Sequence, residues 1–378
     1  MFSLLGGVFL GWALGANDAS NVIGPAVSSK MLRFRTAAVV AALFVLAGAL
    51  LQGRSGVHTL SGLTGMTLQQ AVIVSVAAAA SVTIMTVLRL PVSSSQAVVG
   101  AILGIGVFNR QVNFAGLGKV VTCWVGTPIG GALAAILVYR AVALVYNRLD
   151  LPMVQSDGLL RVGILAAGIY GAYALGANNV ANVTAVFVEA GYLSMTLALL
   201  VGGLSIGLGI VTFGRPVMNT VGSRLVRLDC FSAFVVLLAE AITVHFYTFV
   251  GVPVSTSQAI VGAVLGIGIL KGTRTVSKRT LAGILFGWFL TPVVAGGLAL
   301  AASALVLAQT IADRTETVKQ EVAKDAASHA ALCGSAGALP QDNSLCLLCH
   351  ANFRAEPVVT DHLAQGITCA HCHGISTM

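Results

Sequence analysis

Long uncharged runs constrain this chain more than any other feature. Residues 37–51, 67–88, 119–139, 197–213 and 280–308 carry almost no charge. Each run approaches or exceeds the roughly 20 residues that a helix needs to cross a bilayer. Only 9% of the chain is charged and 57% is apolar, against about 25% charged in an average soluble domain. The sequence therefore predicts an all-α, multi-pass membrane protein.

The apolar part is an internal duplication. GANDASN begins at Gly15 and GANNVAN at Gly176, an offset of 161 residues. PVSSSQAVVGAILGIG at Pro91 recurs as PVSTSQAIVGAVLGIG at Pro253, an offset of 162, and Trp124 recurs as Trp288, an offset of 164. Three motif pairs in one order predict two repeats, 1–146 and 159–309, joined by a cytoplasmic linker, 147–158.

Loop charge indicates that the repeats are inverted. Lys30, Arg33 and Arg35 follow the first GAN motif, whereas the corresponding loop of the second repeat, GYLSMT, has no basic residue. Cytoplasmic loops gather Lys and Arg, so the repeats expose opposite faces. Ten crossings fit: 2–27, 37–52, 67–88, 91–108, 119–139, 160–190, 197–213, 229–250, 253–270 and 280–308. Both termini then lie in the periplasm of a bacterial inner membrane.

The repeated motifs are polar where lipid-exposed sequence would be apolar. Asp18 is flanked by Gly15 and Asn17, and Gly24-Pro25 follows, so we expect the helix to break at this motif. A broken helix offers carbonyl groups to a cation and N–H groups to an anion. The PVSSSQ and PVSTSQ segments place Pro at a predicted helix start and then several hydroxyls. Such segments are expected to be broken or re-entrant, and to meet around one ion.

These motifs together resemble the inorganic phosphate transporter (PiT) family, which carries a duplicated GAND-type signature and paired PVST-type segments. The resemblance covers about residues 1–309. It implies an inverted-repeat secondary transporter, not an enzyme, that carries phosphate with Na⁺ or H⁺ as coupling ion; relatives within the family are associated with sulfate. It implies as substrate- and ion-binding residues Asn17, Asp18, Asn21, Ser93, Ser94, Ser95, Gln96, Asn178, Asn179, Asn182, Ser255, Thr256, Ser257 and Gln258.

The chain departs from the family pattern in two places. Asn179 stands where the family usually has Asp, and Gln96 and Gln258 stand where many relatives have His. Glu240, midway along 229–250, is a candidate to replace the missing carboxylate as a proton or cation ligand. A protonated carboxyl that makes one helix–helix hydrogen bond is the alternative reading of Glu240.

The C-terminal region differs from the rest. A polar, helix-prone stalk, 310–332, leads to residues 333–378, which contain CLLCH and CAHCH. CxxCH is the attachment signature of c-type haem, in which two thiols bond to the haem and the adjacent His binds the iron. Two covalent haems would use Cys346, Cys349, Cys369 and Cys372, with His350 and His373 as iron ligands. A four-thiolate zinc site is the alternative.

The same tail resembles multihaem c-type cytochromes, and that resemblance implies His362 as a distal iron ligand. Three hypotheses follow. The first is a phosphate carrier with a periplasmic dihaem tail, the second a membrane-anchored electron-transfer protein, and the third a redox-regulated carrier. The basic excess follows the topology, so no nucleic acid is expected as a partner. The sequence leaves open phosphate versus sulfate, Na⁺ versus H⁺, an electron-transfer partner and a homodimer.

Overall fold

The computed structural model describes residues 2–28, 32–87, 92–150, 152–217, 229–272 and 278–334. Two compact units divide the chain, residues 1–307 and residues 308–378. The described part of the second unit, 308–334, is helical, and its side chains are exposed from 308 to 324.

The described residues form α-helices and no strand. After a 3₁₀ turn at Phe2–Leu4, the helices are α1 Leu5–Val22, α2 Gly24–Ser28, α3 Phe34–Gln52, α4 Arg54–Ser61, α5 Leu68–Val87, α6 Ser94–Asn109, α7 Phe114–Arg148, α8 Met153–Glu189, α9 Met195–Val217, α10 Cys230–Val250, α11 Thr256–Lys271 and α12 Lys278–Gly334.

The helices have the length and surface of membrane spans. Within the described ranges, seven helical stretches are long and apolar enough to cross a bilayer, and α6 and α11 are shorter apolar helices of 16 residues. Large apolar side chains such as Leu51, Leu137 and Phe289 are exposed, as expected of side chains that face lipid. The prediction of an all-α, multi-pass membrane protein is confirmed, whereas the number of ten crossings stays a prediction.

In the first unit, helices of each repeat pack against helices of the other repeat. Helix α1 packs against α9, and α3 packs against α8. The first glycine of each GAN motif lies at these crossings. A methyl group on Gly15 would be 2.0 Å from the Ile206 carbonyl oxygen, and one on Gly176 would be 1.9 Å from that of Val45. Since Val45 and Ile206 are also 161 residues apart, the duplication extends to the contacts.

The contact between α7 of the first repeat and α11 of the second shows the relative direction of the two repeats. Gly262 of α11 contacts Pro128 of α7, and Gly266 contacts Ala132, so α7 and α11 run parallel. Helix α7 follows α6 after a four-residue loop, 110–113, and short helix connections join antiparallel neighbours. Helix α11 therefore points opposite to α6, its repeat counterpart, which favours inverted repeats.

The predicted helix break is wrong for GANNVAN, and for GANDASN it comes at the end of the motif rather than at Asp18. Helix α1 runs unbroken through GANDASN, and α8 runs for 37 residues through GANNVAN. A glycine in a helix costs up to about 1 kcal/mol, and the close crossings with α9 and α3 offset this cost. In the first repeat the helix breaks at Ile23, two residues after GANDASN and directly before Gly24-Pro25, the two residues expected to weaken it. The second repeat has Ala185-Val186 at that position, so α8 continues.

The predicted helix start at the paired segments also needs correction. Helix α11 begins at Thr256, and Ser255 is its N-cap. Pro253 lies two residues before this cap, in a non-helical stretch from Val252 to Ser255, and the backbone of Ser255 is extended. Proline restrains the residue before it to extended backbone, so Pro253 holds the approach to the helix rather than its first turn. Pro91 lies outside the described residues.

Candidate functional site

The N-termini of α6 and α11 meet inside the first unit. The Ser95 hydroxyl donates to the Val254 carbonyl at 3.0 Å, and the Ser257 hydroxyl donates to the Val92 carbonyl at 2.9 Å. The two bonds are related by the 162-residue repeat. The segment before each of these two short helices, hereafter the half-helices α6 and α11, is therefore tied to the first turn of the other.

Each half-helix is capped by its own serine. The Ser93 hydroxyl accepts from the Gln96 N–H at 3.2 Å, and the Ser255 hydroxyl accepts from the Gln258 N–H at 3.3 Å. Other first-turn N–H groups and the positive ends of the two helix dipoles point toward the meeting place of the helices. Backbone N–H groups at helix N-termini favour an anion, and here two such ends converge.

Asp18 of α1 belongs to this cluster. Only 2% of its surface is exposed. Its carboxylate accepts from the Asn17 amide at 3.1 Å and from the Ser94 hydroxyl at 3.4 Å, and it also bonds to the Thr256 hydroxyl. Asn21, one turn later, donates to Thr256 at 3.2 Å. A carboxylate is thus held between the first GAN helix and both half-helices.

Asn179 of α8 joins the cluster through α6. Its amide oxygen accepts from the Ser95 hydroxyl at 3.3 Å and from the Asn182 amide at 2.8 Å. Asn182 also donates to Ser95 at 2.9 Å. All of these side chains are buried. The first GAN helix therefore brings a carboxylate to both α6 and α11, and the second brings a neutral amide oxygen to α6.

Asn178 has a different position. Its oxygen accepts from the Val254 N–H at 2.8 Å, and its amide donates to the Val252 carbonyl at 3.2 Å and to Thr248 at 3.3 Å. These bonds hold the non-helical approach to α11 in the way a strand neighbour would. Its side chain is fully engaged with protein groups, which distinguishes it from Asn179.

Glu240 of α10 lies beside this cluster rather than in it. It is 1% exposed, and its Oε2 has no partner among the described residues. A methyl group on Gly171 of α8 would be 3.4 Å from that oxygen, and Asp18 is near enough to repel it electrostatically. Glu240 is therefore near Asp18, and its expected role in replacing the charge that is missing at Asn179 stays a prediction.

His245 of α10 is half-buried, and its two ring nitrogens bond to the Tyr170 hydroxyl at 2.7 Å and to the Gln52 side chain at 2.6 Å. It thus joins α10 to α8 and to the end of α3.

Trp124 and Trp288, which the sequence analysis used only to identify the repeat, each carry a buried polar group. The indole N–H groups of Trp124 and Trp288 are buried, and neither has a partner in the described part of the chain. Both tryptophans recur at corresponding positions of the two repeats, and each carries an N–H group that a lipid-facing residue would not need. These two features are the sequence signal that could have identified them.

The proposed haem residues lie outside the described residues: Cys346, Cys349, Cys369, Cys372, His350, His362 and His373. Within the described ranges, no group of three or more His, Cys, Asp or Glu side chains could hold a metal ion.

A multi-pass helical membrane protein whose two duplicated halves enclose a polar site is built like a secondary transporter. The sequence profile of the phosphate transporter family matches residues 14–299, and the chain belongs to this family.

Individual relatives agree with that assignment. The chain is 29% identical over 287 residues to a protein of Methanocaldococcus jannaschii named as a candidate phosphate permease, a match to 76% of this chain and 91% of that one. It is 28% identical to the sulfate permease of Bacillus subtilis, over 77% of this chain and 83% of that one. A solved sodium-dependent phosphate transporter has the same fold, with a TM-score of 0.70, 23% identity, and coverage of 80% of this chain and 98% of that one.

Proposed function

We propose that this protein carries inorganic phosphate across a bacterial inner membrane by alternating access, coupled to Na⁺ or H⁺. The observation that carries the proposal is the convergence of two capped half-helices on a buried cluster formed by Asp18, Asn179 and their hydroxyl neighbours. Membership of the phosphate transporter family supports phosphate as the substrate.

The cluster suits a tetrahedral oxyanion for a simple electrostatic reason. Two helix N-termini supply N–H groups and positive dipole ends, and they approach from opposite directions. Serine and threonine hydroxyls beside them can donate to oxyanion oxygens. Because the two ends belong to inverted repeats, a small movement of one half against the other would open the site to either side of the membrane.

The Asp18 side of the cluster suits the coupling cation. Na⁺ prefers oxygen ligands, and a carboxylate, an amide and two hydroxyls meet there. The sodium dependence named for the solved relative supports Na⁺. Glu240, close to Asp18, is proposed as a second cation or proton site.

Asp18→Asn tests this assignment. The variant should lose cation-driven uptake, because the amide removes the negative charge while keeping the size of the side chain. Uptake into proteoliposomes is measured with and without a Na⁺ gradient, and with a pH gradient in its place. Asp157→Asn, at an exposed position, is the control. Normal Na⁺-driven uptake by Asp18→Asn would show that the carboxylate is structural.

Sulfate is the second candidate substrate, and the similarity to the sulfate permease of Bacillus subtilis favours it. Proteoliposomes loaded with folded protein should take up labelled phosphate faster than labelled sulfate. Uptake of sulfate and not of phosphate would make sulfate the substrate. Uptake of neither ion by folded protein would contradict the carrier function.

The tail is proposed to hold two covalent haems in the periplasm, on the strength of its two CxxCH motifs alone. A peroxidase stain after denaturing electrophoresis should show a haem-positive band. A colourless band that releases zinc would favour the four-thiolate site. If the protein takes up haem but transports neither oxyanion, the electron-transfer hypothesis, with a periplasmic or membrane partner, replaces the carrier hypothesis.

A further inference from the structure

Three buried amide oxygens in the candidate site have no hydrogen-bond partner among the described residues. They are Oε1 of Gln96, Oε1 of Gln258 and Oδ1 of Asn182. The three residues are 6%, 3% and 1% exposed. An unpaired buried acceptor is rare in proteins, and three in one cluster require an explanation.

The two glutamines do not make the local hydrogen bond that is common at their positions. Each is the third residue after an N-cap serine, and at this spacing a glutamine commonly reaches back to accept from the backbone N–H of the cap. Here Ser93 and Ser255 accept from the backbone N–H of Gln96 and Gln258, but neither glutamine oxygen has a partner in the described part of the chain. The same omission in both repeats indicates a shared purpose for these oxygens.

The position of these oxygens relates them to the substrate. Gln96 follows Ser95, which bonds to Asn179 and Asn182. Gln258 comes two residues after Thr256, which bonds to Asn21. Asn182 spends its amide N–H groups on Ser95 and Asn179, so its oxygen is the group it has left. The unpaired oxygens therefore belong to the first turns and the GAN helix that form the proposed oxyanion site.

An amide oxygen can only accept a hydrogen bond. Tetrahedral oxyanions of one size differ in what they can give to such a group. Phosphate and arsenate carry at least one proton near neutral pH, whereas sulfate and selenate carry none. An unprotonated oxygen against an amide oxygen places lone pair against lone pair and leaves both unsatisfied. A site built to bond a substrate proton rejects the analogue that lacks it.

We propose that the side-chain oxygens of Gln96, Gln258 and Asn182 accept a hydrogen bond from the protonated oxygen of the oxyanion. This proton-reading role would select phosphate and arsenate against sulfate and selenate. This inference rests on the proposed oxyanion-carrier function and specifies the basis of its selectivity. The two glutamines are repeat counterparts on half-helices of opposite direction. A protonated oxygen therefore meets an acceptor from either half.

Competition against labelled phosphate uptake tests the proposal with the unaltered protein in proteoliposomes. Arsenate should compete about as well as phosphate. Sulfate and selenate should be weaker by about tenfold to a hundredfold, the affinity equivalent of one buried acceptor left unpaired. Selenate is close to arsenate in size, so this pair separates protonation from size. Equal competition by arsenate and selenate, with phosphate uptake intact, would overturn the proton-reading role and leave the carrier function standing.

Substitutions locate the effect. Gln96→Met and Gln258→Met keep the length of the side chain but remove the acceptor, so the ratio of arsenate to selenate inhibition should fall toward one. Gln96→Glu keeps an acceptor and should keep the preference for arsenate. Gln155→Met, on an exposed surface, is the matched control and should match the unaltered protein. An unchanged ratio in both methionine variants would overturn the role of the glutamines.

A variant that no longer transports is still tested by binding. Arsenate should raise the melting temperature of the unaltered protein in detergent more than selenate does, since a ligand stabilises the folded state in proportion to its affinity. The methionine variants should lose this difference. Stabilisation by sulfate and not by phosphate in the unaltered protein would contradict both the selectivity and the proposed phosphate carrier.

Discussion

At the scale of single residues, the site is symmetric in its positions and asymmetric in its charge. Asp18 and Asn179 occupy corresponding places in the duplication and contact the hydroxyls of adjoining serines. A carboxylate inside a membrane costs at least about 2.5 kcal/mol on insertion scales. Asn179 in place of a second carboxylate lowers that cost, and it also removes a charged ligand that a second cation would need.

Asn179→Asp should therefore change the stoichiometry. The oxygen of Asn179 already accepts from Ser95 and Asn182, so those bonds persist in the variant. The amide N–H₂ of Asn179, which has no hydrogen-bond partner among the described residues, becomes a second, charged oxygen. More cations should move with each phosphate, seen as more inward positive charge per labelled phosphate in solid-supported membrane recordings. An unchanged charge-to-phosphate ratio, with uptake retained, would contradict this.

Asp229 and Lys271 provide a residue-scale pH test outside the membrane spans. Lys271 donates to Asp229 at 2.6 Å. Burial alone would raise the pKa of Asp229, but hydrogen bonds from Lys271 and Ser232 outweigh it and hold the pKa below its usual value. A lowered folded-state pKa means that the pair stabilises the protein above the unfolded pKa of about 3.9. That contribution fades as pH falls through the folded pKa.

Asp229→Asn should thus lower the melting temperature slightly at neutral pH, because half-exposed ion pairs contribute little. The difference from the unaltered protein should shrink as the pH is lowered toward 3, near the usual Asp pKa. Asp157→Asn is the control. A difference that stays constant between neutral and acid pH would show that Asp229 acts through its neutral hydrogen bonds.

At the scale of helices, the glycines of the GAN motifs act in packing. The backbones of α1 and α9, and of α8 and α3, approach too closely for a side chain at Gly15 or Gly176. Gly15→Ala and Gly176→Ala should each cost about 1–3 kcal/mol, since a rigid backbone carbonyl cannot move aside. Thermal unfolding in detergent measures this. Gly297→Ala, with open space at its Cβ position, should leave the melting temperature unchanged or raise it.

How far the sequence could predict these elements depends on what each inference needed. Hydropathy and repeat spacing were enough for the helices and for the duplication. The break at GANNVAN was mispredicted, because glycine weakens an isolated helix but also allows a close crossing. Which effect wins depends on whether a partner such as Val45 is present. Linear sequence does not contain that contact.

The candidate site shows the same division. Its polar residues stand out in apolar sequence, and the family resemblance named them. The distinct position of Asn178, and the unpaired oxygens of Gln96 and Gln258, depend on hydrogen bonds. A capping-box spacing would have predicted that both glutamines are satisfied locally. Only the three-dimensional contacts distinguish a capping side chain from one that remains free.

At the scale of the whole molecule, the carrier and the tail can be tested separately. The family match ends at residue 299, well before the first CxxCH motif. Replacing Cys346, Cys349, Cys369 and Cys372 by Ala in the full chain should abolish covalent haem staining and leave phosphate uptake unchanged. Uptake that falls with the loss of haem, in a variant of normal thermal stability, would favour the redox-regulated carrier.

The exchanged packing of the halves has a consequence for biogenesis. Helix α1 leaves the ribosome before α9, and the surface of α9 that covers Gly15 is made roughly 190 residues later. At about 5–20 residues per second of synthesis, that is about 10–40 s. During this interval the glycine face of α1 is covered only by lipid or by the insertion machinery. A translation pause or a shortage of that machinery would therefore harm this protein before its first half could complete any part of the site.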